Sequence, residues 1–318
     1  MNFLELITPT NLEVEKKKFF SDPAYNATFQ YIWEGTPHTI PKDTPKSKAT
    51  LLKAIFKQDH ERITATAQKQ FQTNLEEYNE EAEQTILKFQ NTKDSKPPIK
   101  DISEKQICEK FQEAFEYFEL DYKFNISAET GFSFRPKPFT KELVMSRVAN
   151  FQFFTIEGEI RHELAHILRY ENSKYNKIET EFDYLPTEEG LATYLQDSTA
   201  GNNYSEFQHA GEYLAGRVGK DGSLRNIYDF LIGIGFNKEL AWQRSIRHKF
   251  GFKDTSIPGD IIKPAMYFLH SKRIAELSPR ELLILFSGKI SINSINKYSG
   301  YKGLFPEEKI RAFYSIKE

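Results

Sequence analysis

The chain has little cysteine, little net charge and no long apolar run. Its one cysteine among 318 residues, Cys108, excludes a disulfide within the chain and fits a reducing compartment. The 43 basic and 45 acidic residues give a formal charge of −2, so no general attraction to nucleic acid is expected. No stretch approaches the roughly 20 apolar residues that cross a bilayer, and the first residues lack the basic start of a signal peptide. We therefore expect a cytoplasmic protein with no nucleic-acid or membrane partner.

The most informative segment lies at residues 162–166, which read His-Glu-Leu-Ala-His. In a helix, His162 and His166 would project from one face and could bind one ion, with Glu163 beside that face. This spacing is typical of zinc hydrolases, in which the carboxylate takes a proton from a metal-bound water. We therefore expect one zinc ion per chain, with Glu163 as the general base in the hydrolysis of an amide bond.

The residues around this motif predict the helix that it needs. Glu157 and Glu159 suit the N-terminal end of a helix at residues 155–172, and Arg169 suits its last turn. Residues 172–173, Asn-Ser, are predicted to terminate it. The alternative is a surface helix with two solvated histidines.

A second helix is predicted at residues 186–194, with Thr187 as its N-cap. It provides a candidate third ligand, and a catalytic zinc usually keeps its fourth position for water. Glu189 is the predicted ligand, because Gly190 beside it would let the metal or substrate come close to the helix. Glu188 is the second candidate. The alternative is that both carboxylates only compensate the helix dipole.

Breaks in the pattern divide the chain. Apolar residues recur at helical intervals across residues 47–93, which predicts a helical hairpin or one long bent helix. Residues 94–98, Asp-Ser-Lys-Pro-Pro, form the clearest break. We therefore predict an N-terminal helical region at 1–95 that packs on a catalytic domain at 96–318.

A small sheet is predicted just before the motif. A helix is expected near residues 103–119, followed by a strand region at 121–145. There, apolar side chains alternate with polar ones at Phe124, Ile126, Phe132 and Phe134. The predicted class is α+β, mainly helical, with a small sheet beside the metal-binding helix. An edge strand of this sheet could pair with an extended peptide substrate, or the sheet could simply cover the core.

Three segments together resemble the tyrosine carboxypeptidase family, which includes the microtubule-associated tyrosine carboxypeptidases and bacterial proteins with a QEGLA motif. The segments are HELAH at 162–166, TEEGLA at 187–192 and RHKFGFKDTSIPG at 247–259, followed by Lys263 and Tyr267. The similarity runs from about residue 8 to about residue 275. The resemblance implies a glutamate-zincin fold and a zinc carboxypeptidase that releases Tyr or Phe from the C-terminal tail of a peptide or protein.

The resemblance also implies cations that bind the free carboxylate of the substrate. Arginine is well suited, because its planar fork can bind both carboxylate oxygens. Arg247 is the first candidate, Lys263 the second and Arg244 the third. His248 and Tyr267 are candidates for stabilising the oxyanion. The alternatives are surface or salt-bridged cations and, for His248 and Tyr267, packing roles.

The chain departs from the family pattern at two positions near the motif. Ala165 stands where the family usually has threonine, which brings HELAH closer to zinc aminopeptidases. Thr193 stands where some thermolysin-like enzymes place a carboxylate that orients a zinc histidine. Two alternatives therefore stay open: a zinc aminopeptidase or endopeptidase of the same clan, and a non-catalytic partner-binding protein with a structural zinc. The presence of Glu163 argues against the second, because a structural site has no use for a base.

Overall fold

A computed structural model describes most of the chain and leaves short gaps. The described residues are 3–35, 40, 44, 46–92, 102–128, 133–147, 155–181, 183–199 and 203–317. They form a mainly helical α+β protein with one three-stranded sheet, which confirms the predicted class at this level. The predicted break at 94–98 and the boundary at 95–96 lie outside the described residues, as does Phe132 of the predicted strand region.

The described elements follow one another in a simple order, with the sheet between the first six helices and the last eight. The helices are α1 (Phe3–Ile7), α2 (Leu12–Ser21), α3 (Lys46–Lys57), α4 (His60–Phe71), α5 (Asn79–Asn91), α6 (Glu104–Tyr117), α7 (Ile156–Asn176), α8 (Tyr184–Asp197), α9 (Asn203–Asp221), α10 (Leu224–Gly233), α11 (Lys238–His248), α12 (Ala265–Ala275), α13 (Pro279–Leu285) and α14 (Glu307–Tyr314). The strands are β1 (Lys123–Ser127), β2 (Phe134–Lys137) and β3 (Glu142–Ser146), and a 3-10 helix spans Ile292–Lys297. None of the helices in the described part is long and apolar enough to cross a membrane.

Internal contacts group the chain into two compact units. The first combines Met1–Asn91 with Phe207–Leu269, and the second combines Thr92–Glu206 with His270–Glu318. The division therefore falls within α9 and within α12. Each unit brings together segments that are far apart in the sequence.

The first unit has an aromatic core that joins its two segments. The ring of Phe19 packs against Tyr228 and Trp242, at centroid distances of 5.1 and 4.8 Å. The backbone N–H of Phe29 donates to the carbonyl of Lys253 at 2.8 Å. The aromatic stretch after α2 is thus buried against the later segment.

Residues 46–91 form three helices, of which α3 and α4 pack together as a hairpin, so one long bent helix is excluded. The chain turns between α3 and α4 at Gln58, which has a left-handed φ of 52°. Asp59 then caps α4 by accepting a hydrogen bond from the N–H of Arg62 at 3.1 Å. Gln58 therefore ends α3 and Asp59 starts α4. These two polar residues interrupt the apolar periodicity only briefly, so the sequence pattern does not show the break.

The second unit contains the sheet and the core around the motif helix. Strand order is β1-β3-β2, with β1 parallel and β2 antiparallel to β3, so both β1 and β2 are edges. Helix α6 begins with a capping box formed by Ser103 and Gln106. Helices α6 and α7 pack together, and α7 also packs on β2. The predicted position of the sheet beside the motif helix is therefore confirmed.

Both motif helices differ from their predicted ends. Helix α7 passes residues 172–173 and ends at Asn176, followed by the C-cap Lys177, whose φ of 55° is left-handed. Asn172 does not terminate the helix, because its buried amide binds the carbonyl of Phe286 at 2.7 Å. Thr187 is not an N-cap either, since α8 begins at Tyr184. The Thr187 hydroxyl instead accepts a hydrogen bond from the N–H of Ile292 at 2.8 Å.

Candidate metal centre

The second unit brings three predicted ligands together between α7 and α8. One carboxylate oxygen of Glu189, Oε2, lies 3.8 Å from Nε2 of His162 and 3.7 Å from Nε2 of His166. Ligand atoms from the three residues all lie within 4.8 Å of one another. The two imidazoles come from successive turns of α7, as their spacing predicts. This cluster could hold a metal ion.

The outer nitrogen of each histidine has its own oxygen partner. Nδ1 of His162 is 2.9 Å from Oε1 of Gln196, whose amide nitrogen donates to Oε1 of Glu159 at 2.9 Å. Nδ1 of His166 is 3.0 Å from Oε1 of Glu188. With Nδ1 donating, the lone pair of each Nε2 points into the cluster. Metal-binding histidines commonly have such a partner at their outer nitrogen, so this arrangement would suit a metal in the cluster.

Gln196 was missed in the sequence, and Glu159 was assigned only to the helix start, not to the contact with Gln196. Gln196 follows Glu189 by two helical turns, so the two residues share one face of α8. Glu159 precedes Glu163 by one turn on α7. Their helical spacing from Glu189 and Glu163 could have indicated both residues. However, neither a glutamine nor a glutamate at a helix start belongs to a motif that would mark it as part of a site.

Glu188 lies on the opposite side of His166 from the cluster. Its buried carboxylate accepts hydrogen bonds from Nη1 of Arg169 and from Nζ of Lys289, both at 2.7 Å. Burial raises the pKa of Glu188, but the charges of Arg169 and Lys289 outweigh burial and hold this pKa far below its usual range. Glu189, and not Glu188, therefore contributes the oxygen to the cluster.

Arg169 lies near the middle of α7 and is fully buried, not in the last turn where the sequence placed it. Its Nε donates to the carbonyls of Leu285 and Gly288 at 2.9 and 3.0 Å, and Nη2 donates to the carbonyl of Ile290 at 2.6 Å. Since Nη1 binds Glu188, one guanidinium ties α8 to the segment after α13. A buried arginine of this kind needs all these partners to offset its desolvation.

Glu163 is the predicted general base and is 7% exposed. Burial raises its pKa to about 8; the nearby charge of His166 opposes this rise, and those of Glu159 and Glu189 add to it. A cation in the cluster would lower this pKa again, because it stabilises a nearby carboxylate. Glu163 thus has the environment of a group that exchanges protons near neutral pH.

Gly190 has a different role from the predicted one. A Cβ atom built on Gly190 would lie 2.6 Å from Cβ of His270 and 2.8 Å from its backbone carbonyl. The missing side chain thus lets α8 approach α12, and it does not make room for a metal or substrate. This correction leaves the position of Glu189 in the cluster unchanged.

The distal candidates all belong to the first unit. Arg244 and Arg247 bind the two oxygens of Glu212, which is fully buried, at 3.1 and 3.0 Å. The guanidinium of Arg247 lies 5.9 Å from the ring centre of Tyr267. Arg244 and Arg247 are therefore salt-bridged, as one alternative proposed. The substrate-binding roles of Arg244 and Arg247 and the oxyanion role of Tyr267 stay predictions.

Lys263 and His248 occupy different surroundings in the same unit. Lys263 is partly buried, and its charge adds to burial in lowering the pKa of Lys48. His248 is fully buried, and its Nδ1 is 2.8 Å from Oδ2 of Asp260. The contact with Asp260 fits a packing role for His248, but its buried Nε2 has no hydrogen-bond partner in the described part of the chain. The oxyanion role of His248 and the substrate-binding role of Lys263 stay predictions.

The segment after Arg247 is held by its own polar residues. The Lys249 ammonium is buried and donates to four carbonyls, those of Gly219, Gly222, Ile257 and Gly259. Thr255 donates its hydroxyl to the carbonyl of Ala27 at 2.7 Å. Lys249 and Thr255 in the segment 247–259 thus stabilise the conformation of the loop that follows α11.

Comparison with known proteins adds no family to this description. A scan against protein-family models finds no match, and a search of curated proteins finds no relative. The family resemblance therefore depends on the sequence segments at 162–166, 187–192 and 247–259.

Proposed function

We propose that the chain is a zinc-dependent metallopeptidase. The observation that supports this most is the convergence of His162, His166 and Glu189 within 4.8 Å, beside the buried carboxylate of Glu163. The Glu189 oxygen lies 3.8 and 3.7 Å from Nε2 of His162 and His166, so these three residues would be the ones to hold a zinc ion. Two imidazoles and a carboxylate are a donor set that suits zinc.

The chemistry assigns separate tasks to the residues of the site. When bound, zinc supplies a Lewis acid that polarises the scissile carbonyl and lowers the pKa of a water from 15.7 to about 7. Glu163 accepts the proton of the attacking water and passes it to the leaving amine. Gln196 and Glu188 keep the two imidazoles in place. A structural zinc would normally have four protein ligands, whereas the cluster among the described residues has three.

We infer further that the enzyme is a carboxypeptidase that releases Tyr or Phe. This step depends on the family resemblance and on the candidate cations Arg247, Lys263 and Arg244. Both Arg244 and Arg247 already pair with the carboxylate of Glu212, so the proposed substrate-binding role of these cations depends on the resemblance.

Zinc content tests the metal site. We expect one zinc per chain in the parent protein, and loss of the metal in His162→Ala, His166→Ala and Glu189→Ala. Glu179→Ala is the control, because Glu179 is an exposed glutamate of the same unit. Elemental analysis after gel filtration measures the stoichiometry. A parent protein without zinc, or a His166→Ala variant with full zinc content, would contradict the proposal.

Peptide cleavage tests the direction of attack. Matched peptides ending in Tyr, Phe, Glu or Lys, each with a free or amidated C-terminus, are incubated with zinc-loaded and chelator-treated protein. We expect release of one C-terminal Tyr or Phe from free-ended peptides only, because an amide lacks the charge that the cations bind. Mass spectrometry identifies the products. Shortening from the N-terminus would indicate an aminopeptidase, and equal internal cleavage of amidated peptides an endopeptidase.

A further inference from the structure

We propose that Glu188 is a positioning residue that fixes His166 as a metal ligand, and that Arg169 and Lys289 hold its carboxylate in that position. The inference depends on the metal site of the proposed function, but not on its peptidase activity. It assigns Glu188 a task that differs from that of Glu189, although the two residues are adjacent.

Three parts of the second unit meet at this carboxylate. Oε1 of Glu188 accepts hydrogen bonds from Nδ1 of His166 at 3.0 Å and from Nζ of Lys289 at 2.7 Å. Oε2 accepts from Nη1 of Arg169 at 2.7 Å. Both oxygens of Glu188 thus form hydrogen bonds on the Nδ1 side of the His166 ring. If the Glu188 side chain rotated towards Nε2 of this ring, all three hydrogen bonds would break. Glu188 therefore does not compete with Glu189 for the metal.

The partner of His166 differs in charge from the partner of His162. His162 is oriented by the neutral amide of Gln196. A hydrogen bond to a carboxylate is roughly twice as strong as one between neutral groups and makes the imidazole a better electron donor. We therefore infer that the charge of Glu188 strengthens the bond from His166 to the metal.

A second observation explains why this task falls to Glu188. Thr193, four residues after Glu189, stands where some thermolysin-like enzymes place a carboxylate that orients a zinc histidine. Its hydroxyl is buried and has no hydrogen-bond partner within the described part of the chain. The orienting carboxylate comes instead from the residue that precedes the third ligand.

Zinc affinity tests the inference directly. Glu188→Gln keeps an acceptor oxygen for His166 but removes the charge, and we expect it to weaken zinc binding by about 10- to 100-fold. Glu181→Gln is the matched control, because Glu181 also binds the segment around Lys289, accepting the N–H of Ser291 at 2.6 Å. Competition with a chromophoric chelator gives the dissociation constants, and thermal unfolding of the metal-free variants shows that they are folded. A folded Glu188→Gln variant with the parental zinc affinity would overturn the inference.

Glu188→Gln leaves the buried charge of Arg169 without its partner, which could prevent the variant from folding. A second measurement therefore uses the parent protein alone. Nitrogen-15 NMR of the zinc-loaded protein locates the ring proton of His166, whose signals are assigned by their loss in His166→Gln. We expect the proton on Nδ1, and a proton on Nε2 would overturn the inference. If the parent binds no zinc, the proposed function fails as well. If it binds zinc and Glu188→Gln binds equally well, only the inference fails.

Discussion

Glu188 and Glu189 are neighbours in the chain, yet their carboxylates lie on opposite sides of the His166 ring. Glu188 accepts from Nδ1 at 3.0 Å, and Glu189 approaches Nε2 to 3.7 Å. Successive residues of a helix differ in direction by about 100°, which lets one pair of glutamates reach both nitrogens of a neighbouring ring. This relationship gives the candidate metal site both its third ligand and an orienting group.

Substitution of Gly190 by alanine is expected to destabilise the protein. The new Cβ would lie 2.6 Å from Cβ of His270 and 2.8 Å from backbone atoms, so α8 would have to shift. Overpacking of this kind costs about 1–3 kcal/mol. Glu189 directly precedes Gly190 on α8, so a shift of α8 should also lower the zinc affinity. Urea unfolding and chelator competition measure the two effects.

Gly233→Ala is the matched control for this prediction. Gly233 is also helical, and a Cβ atom built there meets nothing within 4 Å. The alanine should raise the free energy of unfolding by about 0.4–1 kcal/mol, because it reduces the entropy of the unfolded chain. Equal effects at Gly190 and Gly233 would show that the contact with His270 is not restrictive.

Glu163→Gln is expected to stabilise the metal-free protein at alkaline pH. The pKa of Glu163 is about 8 in the folded chain, against 4.5 for an unperturbed glutamate. Between these values the folded protein holds a proton that the unfolded chain has released, so stability falls as the pH rises from 4.5 to 8. Glutamine has no such dependence. The gain should be on the order of a few kcal/mol at pH 8 and small near pH 4.5.

Urea unfolding with chelator present, at both pH values, measures this gain. A variant that is no more stable than the parent at pH 8 would show that burial does not raise the pKa of Glu163. This test is independent of catalysis.

Glu212→Gln should be most harmful at neutral pH. Burial raises the pKa of Glu212, but the charges of Arg244 and Arg247 outweigh it and lower this pKa below 4.5. The carboxylate therefore stabilises the fold above about pH 4.5, and this contribution is lost as the pH falls through the folded pKa. Glu212 is fully buried, but Arg244 and Arg247 are 22% and 34% exposed, so the cost should be below the about 3–5 kcal/mol of a fully buried ion pair. At pH 7 the urea midpoint of the variant should be lower than that of the parent, and this difference should shrink as the pH falls. A difference that stays constant with pH would contradict this account.

The metal cluster was largely predictable because it depends on local geometry. A spacing of four residues puts His162 and His166 on one helix face in any fold. The sequence left two candidates for the third ligand, Glu188 and Glu189. Which of them faces the histidines depends on how α8 is rotated about its axis, and tertiary packing sets that rotation. Residues far away in sequence set that rotation, such as Lys289, which holds Glu188.

The helix ends were harder to predict, because side chains that favour termination were used elsewhere. The polar group of Asn172 binds the backbone of Phe286 and Leu304, so it is satisfied inside the helix and does not end it. Likewise, Thr187 binds the N–H of Ile292. Local propensity competes with such long-range hydrogen bonds, and the latter are invisible in the sequence.

The grouping of residues 207–269 with the N-terminal segment also had no local signal. It depends on contacts such as Phe19 with Trp242, whose hydrophobic character alone does not specify a partner. The buried Lys249 was similarly unexpected, because lysine is almost never fully buried unless it is paired. Four carbonyls around its ammonium account for it.

The most direct test of the proposed function compares Glu163→Gln with Glu157→Gln. Both changes replace a glutamate of α7 by its neutral isostere, but Glu157 is exposed and pairs with Arg161 at 3.6 Å. We expect both variants to bind one zinc, and peptide turnover to fall by about 100-fold or more only in Glu163→Gln. Turnover at the parental rate in zinc-loaded Glu163→Gln would contradict the assignment of Glu163 as the general base.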